Sequence, residues 1–168
     1  MVDTTGGFTS VGLQLETETL LLPSLSQRSL SQSEAIEIGE IAHQLGRDRG
    51  LAITIEVQLG KWPVFHVALP GTKPENDNWI ARKARVVHAT GNSTMRERVF
   101  AEENGFDWYL KNDLAEELHA IHGGGLPLNV NGLGLAGVLL ISGLPQVQDH
   151  LLGVEVIAEF LARKGEQQ

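Results

Sequence analysis

A chain of 168 residues with 42% apolar content is long enough to fold as one domain around a buried core. Its formal net charge of −8 argues against the basic face that unspecific nucleic-acid binding needs to displace phosphate counterions. Cysteine is absent, which excludes disulfides and thiolate chemistry.

The opening residues MVDTTGGFTS carry neither the basic n-region nor the apolar h-region of a secretory signal. No run approaches the roughly 18 apolar residues of a membrane span. A cytoplasmic protein with no membrane and no nucleic-acid partner is expected. Residues 1–12, rich in Gly, Thr and Ser, read as a flexible tail, and residues 13–168 as a single domain.

In chain order, residues 17–22 predict a short strand ended by Pro23, and the Ser-rich residues 23–30 lead into a helix. Ser31 and Glu34 spell a capping box, in which hydroxyl and carboxylate each satisfy a free backbone N–H. Ala35, Ile38, Ile41, Ala42 and Leu45 then recur at helical spacing as far as Gly50. Residues 51–58 place Ile53, Ile55 and Val57 on one face of a half-buried strand. Gly60-Lys61 turns the chain, and residues 64–69 return as a second strand carrying His66.

The breaker cluster PGTKPENDN supplies at its end the N-cap of a helix running from Asn78 to about Thr90. Trp79, Ile80, Ala84, Val86 and Val87 form its apolar face, while Arg82, Arg85 and His88 lie elsewhere. Lys83 falls in the middle of that face, where a lysine either snorkels to an edge or points into a cleft. Thr94 and Glu97 cap a further helix to about Glu103. Phe106, Trp108 and Tyr109 precede a short helix over residues 114–120.

Residues 122–148, HGGGLPLNVNGLGLAGVLLISGLPQVQ, organise the rest. Two apolar runs flank Asn131-Gly132, a pair that tolerates the positive φ of a type I′ hairpin turn. Residues 136–141 are apolar throughout, as in a central strand covered on both faces. Gly132, Gly134 and Gly137 spell G-x-G-x-x-G, but they open a strand rather than a helix, so the dinucleotide reading is rejected. Gly123-Gly124-Gly125 and Ser142-Gly143-Leu144-Pro145 give bends where backbone can approach a ligand. A last helix covers residues 146–163, with Leu151, Val154, Ile157, Ala158 and Leu161 as its core stripe and Gly165 as its stop. This order predicts an α/β (α+β) fold: an antiparallel sheet of about five strands with helices on both faces.

Six histidines invite a metal reading. His119 and His122 are three apart and His150 follows Asp149, but no H-E-x-x-H or related spacing is present, so no metal site is predicted. Ser142-Gly143 lacks the surroundings of a nucleophile elbow. Asp149, His122 and Lys83 serve acid–base work only if they converge. Arg82, Lys83, Arg85, Arg96 and Arg98 form a positive region in an acidic chain. They read either as two solvated helix faces or as a site for the carboxylates or phosphates of a small ligand, with Trp79 as a flat wall.

The stretches NDNWIARKARVVHATGNST and HGGGLPLNVNGLGLAGVLLISGLPQVQDH resemble the haem-degrading (HbpS/GlcG-like) domain family. The likeness is nearest to a small branch named only as an uncharacterised protein family. The matching positions are Trp79, Lys83-Ala84, His122-Gly123-Gly124, Pro127, Ser142-Gly143 and Gln148-Asp149-His150. The resemblance implies a profilin-like three-layer α/β/α sandwich around a five-stranded antiparallel sheet, a homo-oligomer and, for part of the family, haem binding or degradation. His66, His88 and His122 are each a candidate iron ligand, with the lysine–arginine helix facing the propionates. The expected ligand-binding set is Trp79, Arg82, Lys83, His122, Gly123, Gly124, Asp149 and His150. Two functions are carried forward. One is a binder of a small planar or anionic ligand, haem or a related tetrapyrrole. The other is a non-catalytic oligomeric scaffold or adaptor, in which these residues build subunit contacts.

Overall fold

The computed structural model describes residues 5–23 and 30–166. Its sheet has four strands, β1 (Thr54–Leu59), β2 (Trp62–Ala68), β3 (Gly125–Val130) and β4 (Gly134–Ser142), in the order β2-β1-β4-β3. Every pairing is antiparallel. β4 explains the layers. Val138 and Leu140 pack with Ile80, Ala84 and Val87 of α3 (Pro74–Thr90), while Leu139 and Ile141 join the core beneath α2 (Gln32–Asp48) and α6 (Gln146–Glu166). All four are 0% exposed, and burial of each such side chain stabilises by about 1.5–3 kcal/mol. Strand alternation therefore places helices on both faces of the sheet.

Helix α2 starts as its sequence dictates. Ser31 Oγ accepts from the Glu34 N–H at 3.1 Å, and Glu34 Oε1 accepts from the Ser31 N–H at 3.0 Å. Ala35, Ile38, Ile41 and Ala42 are buried, as are Ile53, Ile55 and Val57 beneath them. On α6 the stripe is rotated from the expected one. Leu152, Val156, Ile157 and Phe160 are buried, whereas Leu151 is 47% exposed and Ala158 faces outward. Gly153 sets that phase, because a Cβ there would overlap the Leu126 side chain of β3.

Four other expectations are corrected. Residues 17–22 do not form a fifth strand: α1 (Ser10–Thr19) takes the first half of them, and Leu22 makes only an isolated parallel bridge to Val130. The helix is favoured because Thr9 caps it, Glu103 accepts from both the Ser10 N–H and hydroxyl, and Leu13 buries against Met95 and Val99 of α4 (Thr94–Asn104). It begins within the stretch whose composition reads as a tail. The β3–β4 turn is not type I′, since Gly132 (φ 79°) and Gly134 (φ 84°) take positive φ while Asn131 does not. The short helix is α5 (Trp108–Asn112), capped by Asp107, and residues 114–120 form turns. Finally, α3 begins at Pro74, four residues earlier than expected, because proline suits the first helical position and Asn76 Oδ1 accepts from the Lys73 N–H at 2.9 Å. Residues 24–29, most of the Ser-rich stretch, lie outside the described residues. Among the described residues no helix is long and apolar enough to cross a membrane.

Candidate functional site

Helix α3 is the wall between two clefts. The smaller, of about 230 Å³, is lined by Asn76, Trp79, Lys83, His122, Ser142, Gly143, Leu144, Gln146 and Asp149. Lys83 does not snorkel. Its side chain is 3% exposed, and Nζ donates to the Ile141 carbonyl at 2.8 Å and to Asp149 Oδ2 at 3.2 Å. Burial pulls the Lys83 pKa down against the opposing pull of Asp149. Burial likewise raises Asp149 to about 6, although Lys83 and the N–H groups of Leu144 and Gly143 all favour its ionised form. Asp149 Oδ1 accepts from the Leu144 N–H at 3.0 Å, so the carboxylate is fixed at both oxygens.

His122 meets the Trp79 ring edge to face, with centroids 4.7 Å apart. Burial, and then the charges of Arg98, Lys83 and Arg82, lower its pKa to about 4, leaving a neutral imidazole. Its Nδ1 is buried without a hydrogen-bond partner among the described residues. The glycines after it serve close packing. A Cβ on Gly123 would overlap the Gln146 carbonyl, and one on Gly124 (φ 122°) would overlap the Ile141 carbonyl and sit 2.8 Å from Lys83 Nζ.

Two expected members of this site lie elsewhere. Arg82 stacks on Trp79 at 4.5 Å, but its Nη2 donates to the carbonyls of Glu116 (2.7 Å) and His119 (3.3 Å). It braces the 114–120 turns and does not line the cleft. His150 is fully buried on another side of α6, where Nε2 meets Glu16 Oε1 of α1 at 2.8 Å and its ring meets Phe8. The basic region is also dispersed, with Arg85 donating to the Leu118 carbonyl, Arg96 paired with Glu97, and Arg98 with Glu102. Nor do His119, His122 and His150 converge. His119 borders the larger cleft, His122 the smaller, and His150 neither.

The larger cleft, of about 670 Å³, lies over the outer face of β1 and β2. Ile80, Ala81, Ala84 and Ala89 of α3 give it an apolar floor, His66, His88 and His119 supply imidazoles, and Lys61 and Arg85 supply cations. A polar chain crosses it. His88 Nε2 lies 2.8 Å from Gln58 Oε1, Gln58 Nε2 donates to Glu56 Oε2 at 2.7 Å, and His66 Nδ1 lies 3.0 Å from Glu56 Oε1. His66 Nε2 faces Asp77 at 3.3 Å. Burial, and secondarily the Lys61 charge, lower the His88 pKa. The sequence reading found His66 and His88 but missed Glu56, Gln58 and Asp77. The signal was present: Glu56 and Gln58 alternate with the buried Ile55 and Val57, and hairpin register sets Glu56 opposite His66.

The sequence profile described as "Haem degrading protein HbpS-like" matches residues 30–158. The chain belongs to this HbpS-like family. A UPF0303 protein of Streptomyces avermitilis is 34% identical over 151 residues, covering 90% of each chain. Another, from Rhizobium leguminosarum bv. trifolii, is 37% identical over 147 residues, covering 83% of this chain and 84% of its own. These relatives match the uncharacterised branch that the motifs resemble. Among solved structures, the Ybr137w protein superposes with a TM-score of 0.81 at 20% identity, covering 92% of this chain and 88% of its own. A complex of PduOC with haem gives 0.66 at 20% identity, covering 78% and 94%. HbpS gives 0.60 at 18% identity, covering 82% and 94%. These likenesses establish a shared HbpS-like fold.

Proposed function

We propose that this HbpS-like protein binds a planar anionic tetrapyrrole of the haem class in the larger cleft. The carrying observation is that one 670 Å³ cleft gathers three imidazoles and two cations above an alanine-rich floor. The smaller cleft, at 230 Å³, falls below the roughly 300–1,000 Å³ of ordinary ligand pockets. Lys83 is committed to Asp149 there, so the propionate contacts expected of it pass to Lys61 and Arg85. The family and the haem complex of PduOC support the choice of ligand.

The donor set fits such a group. Gln58 uses its amide nitrogen on Glu56, so its oxygen accepts from His88 Nε2 and the lone pair of His88 resides on Nδ1. Burial keeps this imidazole neutral, as an iron ligand must be. His66 Nδ1 has a carboxylate behind it in Glu56, the outer-shell partner that orients a ligating histidine, and its Nε2 would exchange Asp77 for the iron. When bound, haem would supply a Lewis-acidic iron, which His88 or His66 would hold.

The test is a haem titration of the ligand-free protein read at the Soret band, repeated on His66→Ala, His88→Ala and His122→Ala. A saturable shift lost in the His66 or His88 variant and kept in the His122 variant is expected. A featureless, non-saturable response overturns the proposal.

One observation favours the scaffold reading. Trp62, Leu133 and Leu135 are 59%, 53% and 39% exposed. Sheet register places Trp62 near Gly137, beside the β3–β4 turn, so the three cluster at one end of the sheet. Large exposed apolar groups in one place mark association surfaces. A strictly monomeric protein by light scattering, with and without haem, rules this reading out.

A further inference from the structure

The smaller cleft holds groups that haem binding leaves unused. We infer that Lys83 is a reactive amine that forms an imine with a small carbonyl compound, an aldehyde or a 2-oxo acid, admitted through this cleft.

The geometry is that of a held nucleophile with its proton carrier. Nζ has two acceptors, the Ile141 carbonyl and Asp149 Oδ2. A neutral amine that donates both hydrogens to them keeps its lone pair free. The Lys83 side chain is 3% exposed, and only the missing Cβ of Gly124 leaves room beside Nζ, so the amine is desolvated and fixed, which is how a lysine is activated as a nucleophile. Asp149 stands within proton-transfer range and is itself held by the Leu144 N–H. A mere structural tie needs none of what surrounds the pair. Buried ion pairs are frequently no better than apolar residues of the same size. Yet here Ser142, Asn76, Trp79 and His122 all line the same small space. Its volume limits the guest to a few carbons. Asn76 and Ser142 offer donors for the carboxylate of a 2-oxo acid.

The chemistry balances within the pair. In its neutral form, one proton transfer from the ion pair, Nζ carries two hydrogens and Asp149 one. Nζ attacks the carbonyl carbon and the C–N bond forms as the carbonyl π pair moves to oxygen. One N–H proton passes to that oxygen, giving a carbinolamine. The Asp149 proton then passes to the hydroxyl, which leaves as water as the C=N bond forms. The iminium keeps the remaining hydrogen, and the Asp149 carboxylate again faces a cation.

The experiment incubates the full-length protein separately with propanal and with pyruvate, adds sodium cyanoborohydride, and maps the product by peptide mass. The expected result is saturable reductive alkylation of Lys83, faster than that of the exposed Lys61, Lys73 and Lys111. Lys83→Arg abolishes it. Asp149→Asn, checked for folding by circular dichroism, slows it roughly 100-fold. His88→Ala leaves it unchanged, which separates this site from the haem cleft. Labelling by pyruvate assigns 2-oxo acids, and labelling by propanal alone assigns aldehydes. Modification of the exposed lysines while Lys83 of the wild-type protein stays unmodified with both carbonyls overturns the inference.

Discussion

Asp149 and His150 are neighbours in the chain and partners to opposite sides of the molecule. The Asp149 carboxylate reaches Lys83 of α3, while the His150 ring reaches Glu16 of α1 at 2.8 Å. Successive side chains on a helix diverge by about 100°, so one turn of α6 ties together two elements distant in sequence. A Gln-Asp-His run read as one patch is thus two anchors.

The Lys83–Asp149 pair has a thermodynamic signature. Lys83→Met leaves a buried carboxylate without its cation and should cost about 3–5 kcal/mol, read from urea unfolding. Asp149→Leu should cost a similar amount. The double variant should recover most of the loss, since apolar residues of like volume replace the pair. Additive losses in the double variant would show that the two residues act independently.

His122 and Asp149 push stability in opposite directions with pH. The folded-state pKa of His122 is lowered from 6.5 to about 4, so the folded protein binds fewer protons than the unfolded chain in that window. Its contribution is present above pH 6.5 and is lost as pH falls toward 4. Asp149 is raised from 3.8 to about 6, so its contribution is present below 3.8 and is lost as pH rises through 6. The wild type should therefore lose stability relative to His122→Gln on acidification from pH 6.5 to 4, with no further pH-dependent difference above. Denaturant midpoints at several pH values measure this, and parallel curves would contradict it.

Arg82 should behave as a brace and not as a ligand group. Arg82→Ala removes donors to the carbonyls of Glu116 and His119, and the Trp79 stack with them. Hydrogen exchange at residues 114–120 should accelerate by about 10-fold, equivalent to about 1.4 kcal/mol of local stability. Haem titration should change little. A large loss of haem affinity with unchanged exchange would reverse the assignment.

The elements with a strong period were readable from the chain alone. Ser31 and Glu34 announced α2, and the alternation of Ile53, Ile55 and Val57 announced β1, because local hydrogen bonding and burial agree there. Lys83 was legible as an anomaly, and the structure explains it through Asp149, a partner no spacing rule could supply. The misreadings share a cause. Residues 17–22 are compatible with either period, and contacts to Glu103, Met95 and Val99 decide for helix. Leu151 and Leu152 are chemically identical, and the close approach of Gly153 to Leu126 decides which is buried. Glu56 and Asp77 gained meaning only when strand pairing and helix placement set them around His66.

The order β2-β1-β4-β3 also governs how the chain is assembled. Thr54 pairs with Ser142, whereas β1 and β2 close through a tight local turn. The first hairpin can form early, but the inner edge of β1 must wait for β4, and the entire span of α3, α4 and α5 is made in between. Pairings of such long separation are closed late and slowly. Until β4 arrives, Ile55 and Val57 lie along an open strand edge, the kind of surface on which chains stick to one another. The seam between β1 and β4 is therefore also the last part of the sheet to be sealed, and aggregation during refolding should begin there.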